Sequence, residues 1–185
     1  RKAENGAEFI QRVHTETGLT FKIISAKEEA RLAVLGCHDL LVSPAKSVLV
    51  VDIGGGSTEL SLMDAEAARQ KGLKGILDRA PIIDWTSLKM GVVTMSDAFA
   101  EHDETAAWPL MLEKARAIVA AWPALLDVQK RLQADEGYLI GTSGTVTCLA
   151  GVHLKLDRYR RDRVDGAWMS QKEGRATIDL LRELG

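Results

Sequence analysis

The chain has 185 residues, of which 46% are apolar, and 24 Lys and Arg stand against 26 Asp and Glu for a formal charge of −2. That composition can bury a core and excludes disordered, collagen-like and disulfide-stapled mini-protein chains. A near-neutral balance supplies no global field for DNA or an anionic membrane surface, so a polyanion has to be met locally. Cys37 and Cys148 are far apart and form no CxxC pair, which fits a reducing, cytoplasmic setting. The longest apolar stretch, 117–126, contains Pro123 and is well short of the roughly 18 residues a membrane span requires. The start, Arg1-Lys2-Ala3-Glu4, is no signal peptide and reads as the interior of a longer chain.

Phe9, Ile10 and Val13 at helical spacing, closed by Gly18, predict a helix over 3–17. Thr20 to Ser25 reads as a short strand. Ser25-Ala26-Lys27-Glu28 fits a capping box, with Ser25 accepting from an early N–H and Glu28 reaching back to the Ser25 N–H. A helix over 26–38 follows, burying Ala30, Ala33, Val34 and Cys37. Residues 47–63 predict a strand buried on both faces (SVLVVDI), a glycine turn, and an alternating second strand. Further strands are expected at 82–88 and 136–141, with a short helix at 92–100 and a long helical pattern over 106–133 that Pro123 kinks or divides. Thr142 to Thr145 opens a helix carrying Val146, Leu149 and Val152. Residues 158–163 read as a charged loop, 164–169 as a strand, and Ser170 to Glu173 as a second capping box before a terminal helix. Strands and helices interleave, so the class is α/β with a mixed sheet flanked by helices.

Gly54-Gly55-Gly56 directly after a buried strand costs about 0.5 to 1 kcal/mol per glycine relative to Ala, so something there should need positive φ or a close backbone approach. A phosphate meets that need, although a plain hairpin explains a lone glycine triplet equally well. Asp52, ending an otherwise apolar strand, is placed to hold hydrated Mg²⁺, and Ser57, Thr58 and Glu59 add donors and acceptors beyond the turn. A Walker loop is excluded by the missing Lys, and a Rossmann loop by the strand that follows the turn. Gly141-Thr142-Ser143-Gly144-Thr145 is a second candidate, a small-residue turn at a helix N-terminus, where an ordinary N-cap by Thr142 or Ser143 competes with an anion site. The two turns are expected to face each other across a cleft that holds a phosphate chain.

Val50 to Leu60 (VVDIGGGSTEL), Ile24 to Leu32 (ISAKEEARL), Gly141 to Thr145, Arg1 to Gly6 and Ser87 to Thr94 (SLKMGVVT) together resemble the exopolyphosphatase and guanosine pentaphosphate phosphohydrolase family, Ppx/GppA. The resemblance spans nearly the whole chain and departs at Ala26, where the family usually has glycine. It implies an actin-like ATPase (ribonuclease H-like) domain, residues 1–185, corresponding to the family's second domain. Residues 1–20 would be a linker helix, and a first domain with its own phosphate loop would lie before Arg1. It further implies Mg²⁺-assisted release of terminal phosphate from polyphosphate or guanosine pentaphosphate, a homodimer in the full-length protein, and an isolated chain of little activity. Glu29 maps to the family's general base, Asp52 and Glu59 to its metal and water-positioning carboxylates, and Gly54, Gly55 and Gly56 to its phosphate-binding amides. Ser57, Thr58, Gly141, Thr142, Ser143, Gly144 and Thr145 complete the substrate contacts. Arg1 matches a cleft arginine of the family, and the bland alternative there is a frayed end. Five basic residues against three acidic ones over 155–165 would guide a polyphosphate tail or simply form a solvated loop. Two rival readings stay open at this point: an ATP-binding kinase or ATPase with an adenine pocket beside Gly141 to Thr145, and a non-catalytic phosphate-sensing domain.

Overall fold

The structure, a computed structural model, describes residues 4–42 and 44–184, with nothing said of the Glu104 side chain. Arg1 lies outside the described residues. Helix α1 (Gly6–Thr17) ends at Gly18, whose φ of 73° is the left-handed conformation glycine tolerates. Helix α2 (Ala26–Gly36) is followed by a 3-10 turn, His38–Leu40. The strands β1 (Ser47–Ile53) and β2 (Thr58–Asp64) form the hairpin expected around the glycine turn, and helix α3 (Ala65–Asp78) leads to β3 (Ile82–Leu88). Then come α4 (Val92–Ala98), α5 (Glu104–Ala120), α6 (Leu125–Ala134), β4 (Tyr138–Thr142), α7 (Ser143–His153), α8 (Arg161–Val164) and α9 (Gln171–Leu184).

The sheet order is β3-β2-β1-β4, antiparallel between β1 and β2 and between β2 and β3, and parallel between β1 and β4. β1 is apolar at consecutive positions because both faces of the sheet are covered. On one face Val48, Val50, Met63 and Ile140 meet Val34 of α2, Cys37 just after it, and Ala68 and Ile76 of α3. On the other, Leu49, Leu60, Leu62 and Leu88 meet Trp122 and Val128. Val48 and Met63 are fully buried, and each such side chain stabilises the fold by about 1.5–3 kcal/mol relative to exposure. Pro123 falls between α5 and α6, so the long helical pattern is divided rather than kinked.

Several expectations are corrected. Residues 20–25 carry the pattern of a strand but pair with none of the described residues, and Leu19, Phe21 and Ile23 are exposed. A strand needs a neighbouring edge, and none is offered there. Residues 164–169 form no strand, and residues 158–163 are partly taken up by α8. Helix α3 has no counterpart among the expected elements, because its helical pattern is interrupted at Gly72 (φ 62°, ψ −179°), a conformation outside the helix. Ser25 caps α2 as expected, its Oγ accepting the Glu28 N–H at 3.1 Å. The other half of that box does not form, because the Glu28 carboxylate accepts instead from Nε and Nη2 of Arg31 at 2.9 and 2.7 Å.

Candidate phosphate-binding and catalytic site

Strand register places the polar residues of the site in one row. Ser87 stands opposite Glu59, Glu59 opposite Asp52, and Asp52 opposite Thr142. Residues directly opposite in a pleated sheet share a face, so four neighbouring strands present Ser87, Glu59, Asp52 and Thr142 side by side. It is the face that carries Val48, Val50 and Met63, so the row continues the α2-covered core to the C-terminal end of β1.

α2 packs over this face. Its far end is tied to the start of β4, because Tyr138 Oη donates to Leu40 O at 2.8 Å and accepts from Val42 N–H at 2.9 Å. Tyr138 pairs with Val48, at the beginning of β1. Glu29 is half-buried in the first turn of α2, the helix that packs against this face of the sheet. Cys37, near the other end of the helix, has its thiol pushed up to about 11 by burial and, secondarily, by the negative charge of Asp52.

Glu59 is only 4% exposed, and the hydroxyl of Ser87 donates to its Oε1 at 2.7 Å. Asp52 is half-buried at the strand end. Among the described residues no group of three or more His, Cys, Asp or Glu is arranged to hold a metal ion.

The glycine turn owes its shape to α4. Gly54 O accepts from Val92 N–H at 3.0 Å, and Gly55 O accepts from Val93 and Thr94 N–H at 3.0 and 3.1 Å. In a trans peptide the C=O and the following N–H point in opposite directions. The N–H groups of Gly55 and Gly56 therefore both point away from α4, and among the described residues neither donates to a partner. Two successive amides aimed the same way form a concavity that suits an anion. Gly54 differs: its N–H closes the turn on Ser57 O at 3.0 Å and is not presented.

None of the three glycines has positive φ; among the described residues the positive-φ glycines are Gly18, Gly72 and Gly166. Close approach is the requirement that holds, and its strictest position is Gly91. A Cβ there would lie 2.4 Å from Gly55 C and O, whereas one at Gly55 would meet only Val93 Cγ2 at 3.4 Å. Thr58 is likewise structural: its hydroxyl is buried and donates to Met90 O at 2.6 Å, fixing the link from β3 to α4. Ser57 is half-buried in the turn.

The second small-residue turn lies beside the first rather than across a cleft from it. Both leave the C-terminal ends of the parallel neighbours β1 and β4, and Thr145 Oγ1 donates to Ile53 O at 3.3 Å to join them. Thr142 does not cap α7; its Oγ1 is buried and has no hydrogen-bond partner among the described residues. Ser143 sits at φ 74°, a left-handed conformation that costs a non-glycine residue about 1–2 kcal/mol. Exposed Gly144 has open space around it. The charged segment is internally paired, Arg160 with Asp162 and Arg161 with Asp165, as a solvated loop would be. Ser87 and Gly91 join the site through contacts that the motif SLKMGVVT does not by itself disclose: a hydrogen bond to Glu59 and a close approach to the Gly54 and Gly55 carbonyls.

The mixed sheet, with a glycine hairpin on its central strand and a second small-residue turn on the parallel neighbour, is an actin-like ATPase fold. A family model for the Ppx/GppA phosphatase family matches residues 1–171, and the chain belongs to that family. It is similar to a bifunctional 3-dehydroquinate synthase/phosphatase of Fusobacterium nucleatum, 26% identical over 188 residues that cover 98% of this chain and 25% of that protein. Among solved structures, an exopolyphosphatase-like protein is 28% identical with a TM-score of 0.70, over 96% of this chain and 52% of that one. The Aquifex aeolicus member of the family is 24% identical with a TM-score of 0.64, over 98% of this chain and 52% of that one, and shares the fold. The chain thus spans about half the length of these solved relatives and a quarter of the Fusobacterium protein.

Proposed function

We propose that this chain supplies one wall of a cleft that releases terminal phosphate from inorganic polyphosphate or guanosine pentaphosphate, the other wall being formed by a further domain, as the greater length of the solved relatives suggests. The observation that carries this reading is the paired, outward-facing amides of Gly55 and Gly56, placed beside the Asp52 and Glu59 carboxylates at one end of the sheet. Amides fixed in advance stabilise charge that builds on phosphoryl oxygens, usually the largest contribution to phosphoryl transfer.

In this reading Glu29 takes a proton from water as the water oxygen attacks the terminal phosphorus. The bond from that phosphorus to its bridging oxygen breaks, and the rest of the chain leaves as the phosphate anion. Glu28 faces Arg31, and Glu29 is the half-buried carboxylate that follows it in the same helical turn. Thr142 and Ser143, with a buried hydroxyl and a strained backbone at a helix start, would meet the next phosphate along. Mg²⁺ fits the residues present in a limited way. It is held by one or two carboxylates, with waters and substrate phosphates completing the shell, and Asp52 and Glu59 on adjacent strands offer that pair without an all-protein cage. When bound it would neutralise charge on the phosphates.

With the other wall absent, positioning is incomplete, and the isolated chain should bind polyphosphate yet turn it over little. Equilibrium titration with polyphosphate and with ATP tests the proposal. Polyphosphate binding the tighter of the two supports it; tighter binding of ATP would favour a nucleotide-dependent kinase or ATPase instead.

A further inference from the structure

We infer that α4 is a positioning element of the phosphate site, its first N–H groups holding the Gly54 and Gly55 carbonyls so that the Gly55 and Gly56 amides stay aimed at the anion. This rests on the reading of the turn as a phosphate site. Glycine peptides rotate with little steric resistance. A flipped Gly54–Gly55 or Gly55–Gly56 peptide would present a carbonyl oxygen where an N–H is needed, replacing attraction for the anion by repulsion. Flipping the first breaks the bond from Val92 N–H, and flipping the second breaks those from Val93 and Thr94.

The clamp is itself held from two sides. Gly91 N–H donates to Thr94 Oγ1 at 2.9 Å, which fixes the start of α4. Thr58 Oγ1 donates to Met90 O at 2.6 Å, which ties the preceding residue to the beginning of β2. Only a residue without Cβ fits at position 91, because a Cβ would lie 2.4 Å from Gly55 O and 2.6 Å from Gly54 O. The segment SLKMGVVT thereby gains a role in which Val92, Val93 and Thr94 act through their backbone, on a site none of their side chains needs to touch.

Val92→Pro separates the backbone effect from the side chain. Val92 is the first residue of α4, where proline is accepted, and Gly91 before it is extended (φ −138°, ψ 168°), the conformation a residue preceding proline prefers. The substitution replaces the clamping N–H by a ring Cδ, which removes the donor and crowds the Gly54 carbonyl that it held at 3.0 Å, while keeping the helix start. Val92→Ala is the conservative variant that keeps the N–H. Both are titrated with inorganic tripolyphosphate by calorimetry, and the ¹⁵N-labelled parent is followed by amide NMR. Val92→Pro should weaken binding at least about fivefold, a typical coupling between linked sites, while Val92→Ala binds as the parent does. Equal binding by all three, or equal weakening in both variants, overturns the inference. The parent alone gives a second reading should Val92→Pro not fold. Tripolyphosphate should shift the Gly55 and Gly56 amide signals and slow hydrogen exchange at Val92, Val93 and Thr94. Shifted glycine signals with unchanged exchange overturn the clamp and leave the anion site standing; unshifted glycine signals overturn both.

Discussion

The hydroxyl of Ser87 donates to Glu59 Oε1 at 2.7 Å, joining β3 to a carboxylate that is 4% exposed at the centre of the polar row. A buried carboxylate deprived of a donor is costly, and its hydrogen bonds are stronger than neutral ones. Ser87→Ala should therefore lower stability by about 1–3 kcal/mol, and it should cost less in a Glu59→Gln background, where no charge is left unsolvated. Urea unfolding of the two singles and the double variant checks this; strictly additive losses would mean that the two residues do not act through each other.

Glu29 is the proposed base. Where turnover of polyphosphate is measured, Glu29→Gln should reduce kcat by about 100-fold or more with KM little changed, because the contribution is made in the transition state. Steady-state phosphate release provides the test, and a kcat near the parent's would move the role to another carboxylate of the row.

Gly141 and Gly144 lie in one turn and should answer oppositely to alanine. A Cβ at Gly141 would sit 2.4 Å from Val146 Cγ1, whereas one at Gly144 meets nothing within 4 Å. Gly141→Ala should destabilise by about 1–3 kcal/mol through overpacking. Gly144→Ala, in the first turn of α7, should be neutral or stabilise by up to about 1 kcal/mol. Thermal unfolding of both variants distinguishes packing from composition, and equal effects would show that α7 is not seated on β4 as described.

Burial and the charge of Asp52 raise the Cys37 thiol from 9.0 to about 11. A group whose folded value is raised stabilises fully below its unfolded value and loses that contribution as pH rises through the folded one. The parent should thus lose stability between about pH 9 and pH 11, the window set by those two values. Tyr138, also raised by burial, adds to the alkaline loss in the parent and in any Cys37 variant alike. The difference between parent and Cys37→Ala, measured by urea midpoints across that window, should narrow as pH rises. A constant difference would contradict the buried, neutral thiol.

Much of the fold was legible because its patterns are local. SVLVVDI reads as a strand covered on both faces, and STELSL as its alternating partner, so the β1–β2 hairpin and the end positions of Asp52 and Glu59 followed. Ser25 was recognisable as a cap from its spacing to Glu28. Helix α3 was not legible, since Gly72 and Gly75 interrupt its pattern, and the strand expected at 20–25 met no described edge on which to pair. The roles of Ser87 and Gly91 depend on contacts that no spacing reveals. The first is set by the β2–β3 register, with its shift at Leu62 and Met63, and the second by the docking of α4 on the glycine turn. The same docking decides that Gly55 and Gly56, and not Gly54, present their amides.

Asp52→Asn tests the central claim most directly, because it leaves the turn's backbone unchanged and removes one charge beside it. Calorimetric titration of polyphosphate into the parent and the variant, each with and without Mg²⁺, should show binding by the parent that strengthens with Mg²⁺. The variant should have lost the Mg²⁺ effect while binding the anion as well or better without metal. Polyphosphate that fails to bind the parent would contradict a phosphate site at Gly55 and Gly56 and leave the turn a simple hairpin, whereas identical binding by both proteins under both conditions would contradict a metal role for Asp52.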